Sequence, residues 1–150
     1  FNRRIRFADD QVVWNQSDYW ATPLETLSRG VGDCEDFVFA KYFSLRELGV
    51  AESRLRMTYV RARIGGPASS VTQAHMVLSY YASPEAVPLV LDNLITTIRP
   101  ASSRPDLVPV FSFNVQGVFV GGASQASTPV DRLSRWREML MRMSAEGYTP

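Results

Sequence analysis

The hydrophobic period of this sequence changes from helical to alternating at Gly49, and this change limits the possible fold more than any other feature. From Cys34 to Leu48 the apolar residues recur at helical spacing and leave only a narrow polar stripe, which is typical of a mostly buried helix. From Arg54 to Arg63 the side chains alternate between apolar and polar, as in a strand. A helical block is therefore followed by a strand block.

The strand block continues through four further segments of alternating or short apolar pattern, at residues 74–81, 87–94, 108–114 and 117–122. In the first of these, period two places His75 on one face of the strand together with Val77 and Ser79. In the second, Val90 and Asp92 share a face. The stretch GGPASS, which lies between the strand at residues 54–63 and the strand at residues 74–81, is predicted to be a loop.

Two more helices are predicted from their end signals. In TPLETLSRG, Thr22 can cap the helix, Glu25 completes a capping box and Gly30 ends it. A strongly amphipathic helix closes the chain over residues 128–147. Its expected cap residues are Thr128, Pro129, Asp131 and Gly147, and its expected core face is Val130, Leu133, Trp136, Leu140 and Met143. Helices grouped apart from a mainly antiparallel sheet predict an α+β fold, and 150 residues suit one domain.

The charge balance excludes some functions. Lys and Arg number 16 and Asp and Glu 15, so the net charge of +1 gives no electrostatic case for binding nucleic acid. No apolar run approaches the roughly 20 residues of a membrane span, so we expect no direct membrane insertion. The chain begins at Phe1 without a methionine. We therefore expect a processed or trimmed chain in which a segment before Phe1 is absent, and the missing leader says nothing of the compartment.

The residues that carry chemistry are the only cysteine, Cys34, the only histidine, His75, and Asp92. A cysteine hydrolase needs a thiolate, a base and a group that orients the base. Cys34 begins the buried helix, where amide donors and the helix dipole favour an anion. If the strands of His75 and Asp92 pair antiparallel, the carboxylate can reach the imidazole. Each residue alone also has a structural interpretation. Cys34 can be a small buried apolar side chain, His75 a structural histidine in a strand, and Asp92 the first residue of a turn.

The order of these residues, with the stretches YWATPLETL, GVGDCEDFVFAKYFSLRELG, AHMVLSYY and LVLDNL, resembles the bacterial transglutaminase-like cysteine proteinases, and within them the LapG-type periplasmic proteases. The resemblance covers most of residues 14–122, and GDCED is its most specific part. It implies a papain-like, transglutaminase-like core. It also implies Cys34 as nucleophile, His75 as general base and acid, and Asp92 as orienting carboxylate.

The resemblance further implies a periplasmic enzyme that depends on calcium. Its expected substrate is a large cell-surface adhesin, cleaved near the N-terminus at a dialanine site so that biofilm is released. Its expected partner is the periplasmic domain of an inner-membrane cyclic-di-GMP receptor, which sequesters the protease.

Three carboxylates, those of Asp33, Glu35 and Asp36, surround the cysteine and create an electrostatic problem. Negative charge near Cys34 should raise its pKa, which opposes catalysis. Acids in a first helical turn also have a plain structural role, because they complement the helix dipole. A calcium ion bound by these oxygens would reverse the local field. We therefore predict Asp33 and Glu35 as the first choices of calcium ligand and Asp36 as the third.

Several alternatives remain open at this point. The same triad would serve an acyltransferase, which passes the acyl group to an amine instead of water. In the other alternative the three residues have no catalytic role, and the protein is a binding module whose surface is made rigid by calcium. Trp20 is expected in the core, with a place in the cleft as the alternative. Four arginines of the last helix are expected to form its solvated face, with a docking surface as the alternative: Arg132, Arg135, Arg137 and Arg142.

Overall fold

The computed structural model describes residues 1–14, 19–120 and 133–148. Its helices are α1 (Asp10–Trp14), α2 (Pro23–Arg29), α3 (Cys34–Glu47) and α4 (Ser134–Ala145). Its strands are β1 (Arg6–Phe7), β2 (Val31–Gly32), β3 (Leu55–Arg63), β4 (Thr72–Tyr80), β5 (Leu89–Leu91), β6 (Arg99–Pro100), β7 (Leu107–Asn114) and β8 (Gly117–Val120). Short 3₁₀ turns lie at Glu52–Arg54 and Ala101–Ser103.

The main sheet has six strands in the order β6-β5-β4-β3-β7-β8, and every neighbouring pair in it is antiparallel. A small parallel pair, β1 with β2, lies beside the start of α3. The helices precede and follow the sheet, so the predicted α+β fold is confirmed. In the described part of the chain no helix combines the length and apolarity that a membrane crossing needs.

Local sequence signals set the ends of α2 and α3. Thr22 caps α2 in the predicted capping box with Glu25, and Gly30 ends it in the left-handed region at φ 68°. The helix α3 begins at Cys34 as predicted and ends at Glu47. Gly49 follows with a φ of 96°, a conformation that glycine adopts without strain.

The core lies between α3, one face of the sheet and α4. Phe39 and Tyr42 of α3 contact Trp136 of α4, with ring centroids 6.0 and 6.2 Å apart. Trp20 is 5% exposed and stacks on Phe113 of β7, which confirms its predicted place in the core. Burial of this aromatic cluster is the main stabilising contribution in the region, because each such ring removes a large apolar area from water.

The third predicted strand is shorter than expected. The strand β5 ends at Leu91, so Asp92 follows the strand instead of lying within it. The reason is a local turn, in which the Leu94 N–H donates to Asp92 Oδ1 at 3.0 Å. The predicted role of Asp92 as a turn former and its predicted approach to His75 therefore occur together.

The last helix begins later than predicted. The structure starts α4 at Ser134, with Leu133 as an extended cap residue. The predicted caps Thr128, Pro129 and Asp131, the core residue Val130 and Arg132 lie outside the described residues. On the core face, Trp136 and Met143 are buried as predicted, and Leu133 and Leu140 are partly buried and pack against the same core. Met139, which the prediction left out, is buried as well.

The interpretation of Arg142 as part of a solvated face was wrong. Its guanidinium donates to the Trp20 carbonyl, donates from Nε to Glu25 Oε1 at 3.3 Å and lies 4.5 Å from the Tyr19 ring centroid. Helical period alone placed Arg142 on the polar side, but the chain segment before α2 packs against that side. These contacts fasten α4 to α2 and to the segment that leads into it.

Candidate active site

The turn before α3 is built around Gly32. Asp33 caps the helix: its Oδ1 accepts from the Asp36 N–H at 3.3 Å, and Asp36 Oδ2 accepts from the Asp33 N–H at 3.1 Å. A Cβ atom at Gly32 would lie 2.8 Å from the Asp36 Cβ, closer than side chains tolerate. Glycine is therefore required for Asp36 to fold back over the turn. This reciprocal cap fixes Cys34 at the first position of the helix.

Cys34 is partly buried and is a free thiol. Its Sγ donates to Glu35 Oε2 at 3.1 Å. Burial, and then the Glu35 carboxylate, raise the pKa of the Cys34 thiol far above its usual range, while the backbone N–H of Met76 acts in the opposite direction. The predicted opposition between the acidic neighbours and thiolate formation is therefore present in the structure.

The strand β4, which carries His75, and the strand β5, which ends just before Asp92, are antiparallel neighbours, with Leu78 paired to Leu91. His75 Nε2 lies 2.6 Å from Asp92 Oδ1, and the two residues are each 3% exposed. A short bond between buried groups fixes both the tautomer and the orientation of the ring. Because Nε2 faces the carboxylate, Nδ1 is the ring nitrogen that can exchange a proton with a thiol.

A cavity of about 580 Å³ joins the thiol to the imidazole. Its lining includes both Cys34 and His75, and the side chains of Phe7 and Leu94 lie on it while remaining 54% and 46% exposed. The other lining residues are Asp9, Asp33, Glu35, Gln73, Ala74 and Asn93. The structure therefore brings the thiol of Cys34 and the imidazole of His75 to one cleft, with Asp92 behind the ring.

Sequence reasoning missed Arg104, which lies behind Asp92. Its Nη2 donates to Asp92 Oδ2 at 2.9 Å, and the residue is 6% exposed. Burial by itself would raise the pKa of Asp92, but the hydrogen bond and charge of His75, the Leu94 N–H and the Arg104 guanidinium together hold that pKa below its usual range. A lone arginine after a 3₁₀ turn carries no sequence signal for this position.

Sequence reasoning also missed Asp10, from the first residue of α1. One carboxylate oxygen from each of Asp10, Asp33 and Asp36 lies within 4.8 Å of the others, and the group could hold a metal ion. Glu35 lies outside this group and contacts the thiol. The sequence signal for Asp10 was only the acidic pair in FADDQ. The ligand role of Asp33, Glu35 and Asp36 stays a prediction.

Crowding of these carboxylates changes their titration. Burial, followed by the charges of Glu35 and Asp36, raises the pKa of Asp33 to about 11. Burial also raises the pKa of Asp36 to about 7, although the Asp33 N–H acts in the opposite direction. At neutral pH the cluster therefore retains a proton unless a cation replaces it.

Few amides of the first turn of α3 remain for an oxyanion. The Asp36 N–H is taken by the cap, and the Phe37 N–H donates to the Asp33 carbonyl at 3.2 Å. The amides of Cys34 and Glu35 are therefore the candidates from this turn. They lie at the positive end of the helix, where a developing negative charge is stabilised.

A thiol at the tip of a buried helix shares a cleft with a histidine that is bound to an aspartate, and this arrangement is typical of the class of thiol-dependent hydrolases and acyltransferases. The family model of the bacterial transglutaminase-like cysteine proteinases (BTLCP) matches residues 1–105, and the chain belongs to this family. Comparison with curated proteins gives no match.

Solved structures agree with this assignment. The chain is 41% identical to calcium-bound Legionella pneumophila LapG, with 95% of this chain and 74% of that chain covered and a TM-score of 0.81. With a second L. pneumophila LapG structure the identity is 40%, 95% of this chain and 72% of that chain are covered, and the TM-score is 0.79. With EGTA-treated L. pneumophila LapG the identity is 39%, 95% of this chain and 74% of that chain are covered, and the TM-score is 0.82. The transglutaminase-like core is therefore confirmed.

Proposed function

We propose that this chain is a calcium-dependent cysteine endopeptidase in which Cys34, His75 and Asp92 form the catalytic triad. The observation that carries the proposal is the buried 2.6 Å bond between His75 and Asp92, on a ring that lines the same cleft as Cys34. A histidine held by a carboxylate beside a nucleophile is the arrangement that acyl transfer requires. We further propose that residues 1–150 act as one catalytic domain.

The reaction follows from the donors and acceptors in the cleft. His75 Nδ1 takes the thiol proton, and Cys34 Sγ attacks the peptide carbonyl while the α3 amides face the oxyanion. The C–N bond breaks as His75 gives its proton to the leaving amine, which leaves a thioester on Cys34. Water then gives a proton to His75 and attacks the thioester, which returns the free thiol and a carboxylic acid. Asp92 stabilises the imidazolium throughout.

Calcium fits the acidic cluster chemically. This cation prefers several oxygen ligands and tolerates irregular geometry. The clustered oxygens of Asp10, Asp33 and Asp36 are such donors, and Glu35 is close enough in sequence to join them with a change of side-chain conformation. LapG structures described as calcium-bound and as EGTA-treated support the same assignment here. A bound ion would offset the negative charge beside Cys34 and brace the capped turn.

The family relationship supports a proposal for the substrate class. We propose that the enzyme acts in the periplasm on the N-terminal region of a large surface adhesin, at a dialanine site, and so releases the cell from a biofilm. Small residues suit a cleft whose walls include Ala74 and Asn93. We propose the periplasmic domain of a membrane-bound cyclic-di-GMP receptor as the regulatory partner.

The test is digestion of an adhesin N-terminal fragment that contains a dialanine pair. We expect two fragments with the wild type, none with Cys34→Ala, and none after chelation, with cleavage restored by calcium. A labelled amine in the reaction distinguishes the acyltransferase, because that activity would leave the label on the N-terminal fragment. Cleavage by Cys34→Ala would contradict the assignment of the nucleophile, and full activity after chelation would contradict the calcium role.

A further inference from the structure

We propose that Arg104 is a positioning residue for the proteolytic reaction, which holds the Asp92 carboxylate in the orientation that His75 needs. This inference rests on the proposed triad and extends it by two side chains, since Asp106 in turn holds Arg104. A series of hydrogen bonds therefore runs from Asp106 through Arg104 and Asp92 to the ring of His75. Its members come from β4, from the turn after β5 and from the loop before β7.

The position of Arg104 is fixed by the backbone. It follows the 3₁₀ turn Ala101–Ser103, and its N–H donates to the Ala101 carbonyl at 3.0 Å. The loop therefore turns the side chain inward. A guanidinium that is 6% exposed has lost much of its hydration, so it is stable there only with anionic partners.

Arg104 contacts both partners through a fixed set of hydrogen bonds. Its Nε donates to Asp106 Oδ1 at 3.1 Å, and its Nη2 donates to Asp106 Oδ2 at 3.0 Å. The same Nη2 donates to Asp92 Oδ2 at 2.9 Å. The paired bonds to Asp106 hold the guanidinium plane, because the planar fork matches a carboxylate. Nη2 is thereby fixed at the far oxygen of Asp92.

The two oxygens of Asp92 have different tasks as a result. Oδ1 accepts from the Leu94 N–H at 3.0 Å and faces His75, whereas Oδ2 faces only Arg104 among the hydrogen bonds of the described residues. Removal of Arg104 would free one side of the carboxylate to rotate. The ring of His75 would then lose its fixed orientation, although neither reacting residue is changed.

The positive charge of Arg104 supports the same role as its hydrogen bonds, because it favours the ionised form of Asp92. The titratable and charged groups that face Asp92 are His75 from β4, Arg104 and Asp106 from the loop before β7, and Lys41 from α3. Without the Arg104 cation, a buried carboxylate is easier to protonate. As the pH is lowered, a variant without Arg104 should therefore lose activity at a higher pH than the wild type, because a protonated Asp92 no longer stabilises the imidazolium.

Kinetics of four variants test the proposal. We expect Arg104→Gln to lower kcat by up to about 100-fold with KM nearly unchanged, since small misplacements of catalytic groups cost about that much. The acid limb of its pH profile should move upward, and Arg104→Lys should restore part of kcat. Asp106→Asn, at a side chain that is 41% exposed, should fold and lower kcat less. The control is Arg99→Gln, at an exposed arginine, which should match the wild type.

A second readout needs no substrate and so separates this proposal from the proposed function. The chain has one histidine, so the downfield proton on Nε2 of His75 is a unique NMR signal. We expect this signal to broaden or move in Arg104→Gln and to stay in Arg99→Gln, even if no peptide is cleaved. A folded Arg104→Gln variant with wild-type kcat, pH profile and Nε2 signal would overturn the proposal. A loss of kcat with an unchanged signal and unchanged acid limb would also overturn it.

Discussion

The acidic cluster makes the stability of the calcium-free protein depend on pH in an unusual direction. The three oxygens of Asp10, Asp33 and Asp36 lie within 4.8 Å of one another. At an effective dielectric constant of about 20, two full charges at that distance repel by about 3.5 kcal/mol, so full ionisation would cost roughly 10 kcal/mol. That cost is comparable to the whole stability of a domain, so without a cation the cluster must keep protons.

The sign of the pH effect follows from the raised pKa values. In the folded protein the pKa of Asp33 is about 11 and that of Asp36 about 7, against an ordinary aspartate pKa of 3.8. The folded state therefore holds protons that the unfolded state has lost, and this contribution to stability fades as pH rises above about 4. Each retained proton gives a slope of about 1.4 kcal/mol per pH unit at most, and the partial exposure of Asp33 lowers the realised slope. Asp92 and Glu25 have lowered pKa values, so their contributions to stability are lost only as the pH falls below this range.

Urea denaturation at pH 5.5 and pH 7.5, followed by tryptophan fluorescence, measures the effect. In calcium-depleted buffer we expect the free energy of unfolding to be about 1–3 kcal/mol lower at pH 7.5. With saturating calcium the loss should vanish, because the ion replaces the protons. Asp10→Asn should reduce the pH slope and remove most of the calcium effect, whereas the neighbouring exposed Asp9→Asn should keep both. Calcium-free stability that is flat or rises over this interval would refute the reasoning.

Three further outcomes follow from single sites. Gly32→Ala should destabilise the protein by about 1–3 kcal/mol in urea denaturation, because the new Cβ would lie 2.8 Å from that of Asp36; an unchanged midpoint would contradict the close approach. Asp92→Asn should lower kcat by roughly 10³–10⁴-fold in a peptide cleavage assay, because His75 loses its orienting acceptor; a loss below tenfold would exclude Asp92 from the triad. Met139→Ala, at a fully buried side chain, should cost about 2–5 kcal/mol in thermal or urea unfolding, whereas Met141→Ala, at a side chain 73% exposed, should stay within about 0.5 kcal/mol; equal effects would refute the core assignment.

The sequence was sufficient where structure depends on near neighbours. The capping box of Thr22 and Glu25, the start of α3 at Cys34 and the alternation through β3 are set by residues a few positions apart. The approach of His75 to Asp92 was also predictable, since short connections favour antiparallel neighbours.

Sequence reasoning failed where a site is assembled from distant segments. Asp10 reaches the α3 turn through the pairing of β1 with β2, and Arg104 reaches Asp92 only because the loop before β7 turns inward. Neither contact leaves a pattern at fixed spacing. The omission of Met139 from the predicted core face has a similar cause, because the rotation of α4 is set by the surface on which it packs.

Intact-mass spectrometry of the enzyme during turnover tests the central claim most directly. Acid quench of a reaction with a dialanine-containing substrate should trap an adduct whose mass equals the enzyme plus the N-terminal fragment less one water, and digestion should place it on Cys34. Cys34→Ala should carry no adduct. Cleavage by the wild type with no adduct under any quench time, or an adduct on another residue, would contradict a thioester mechanism at this site.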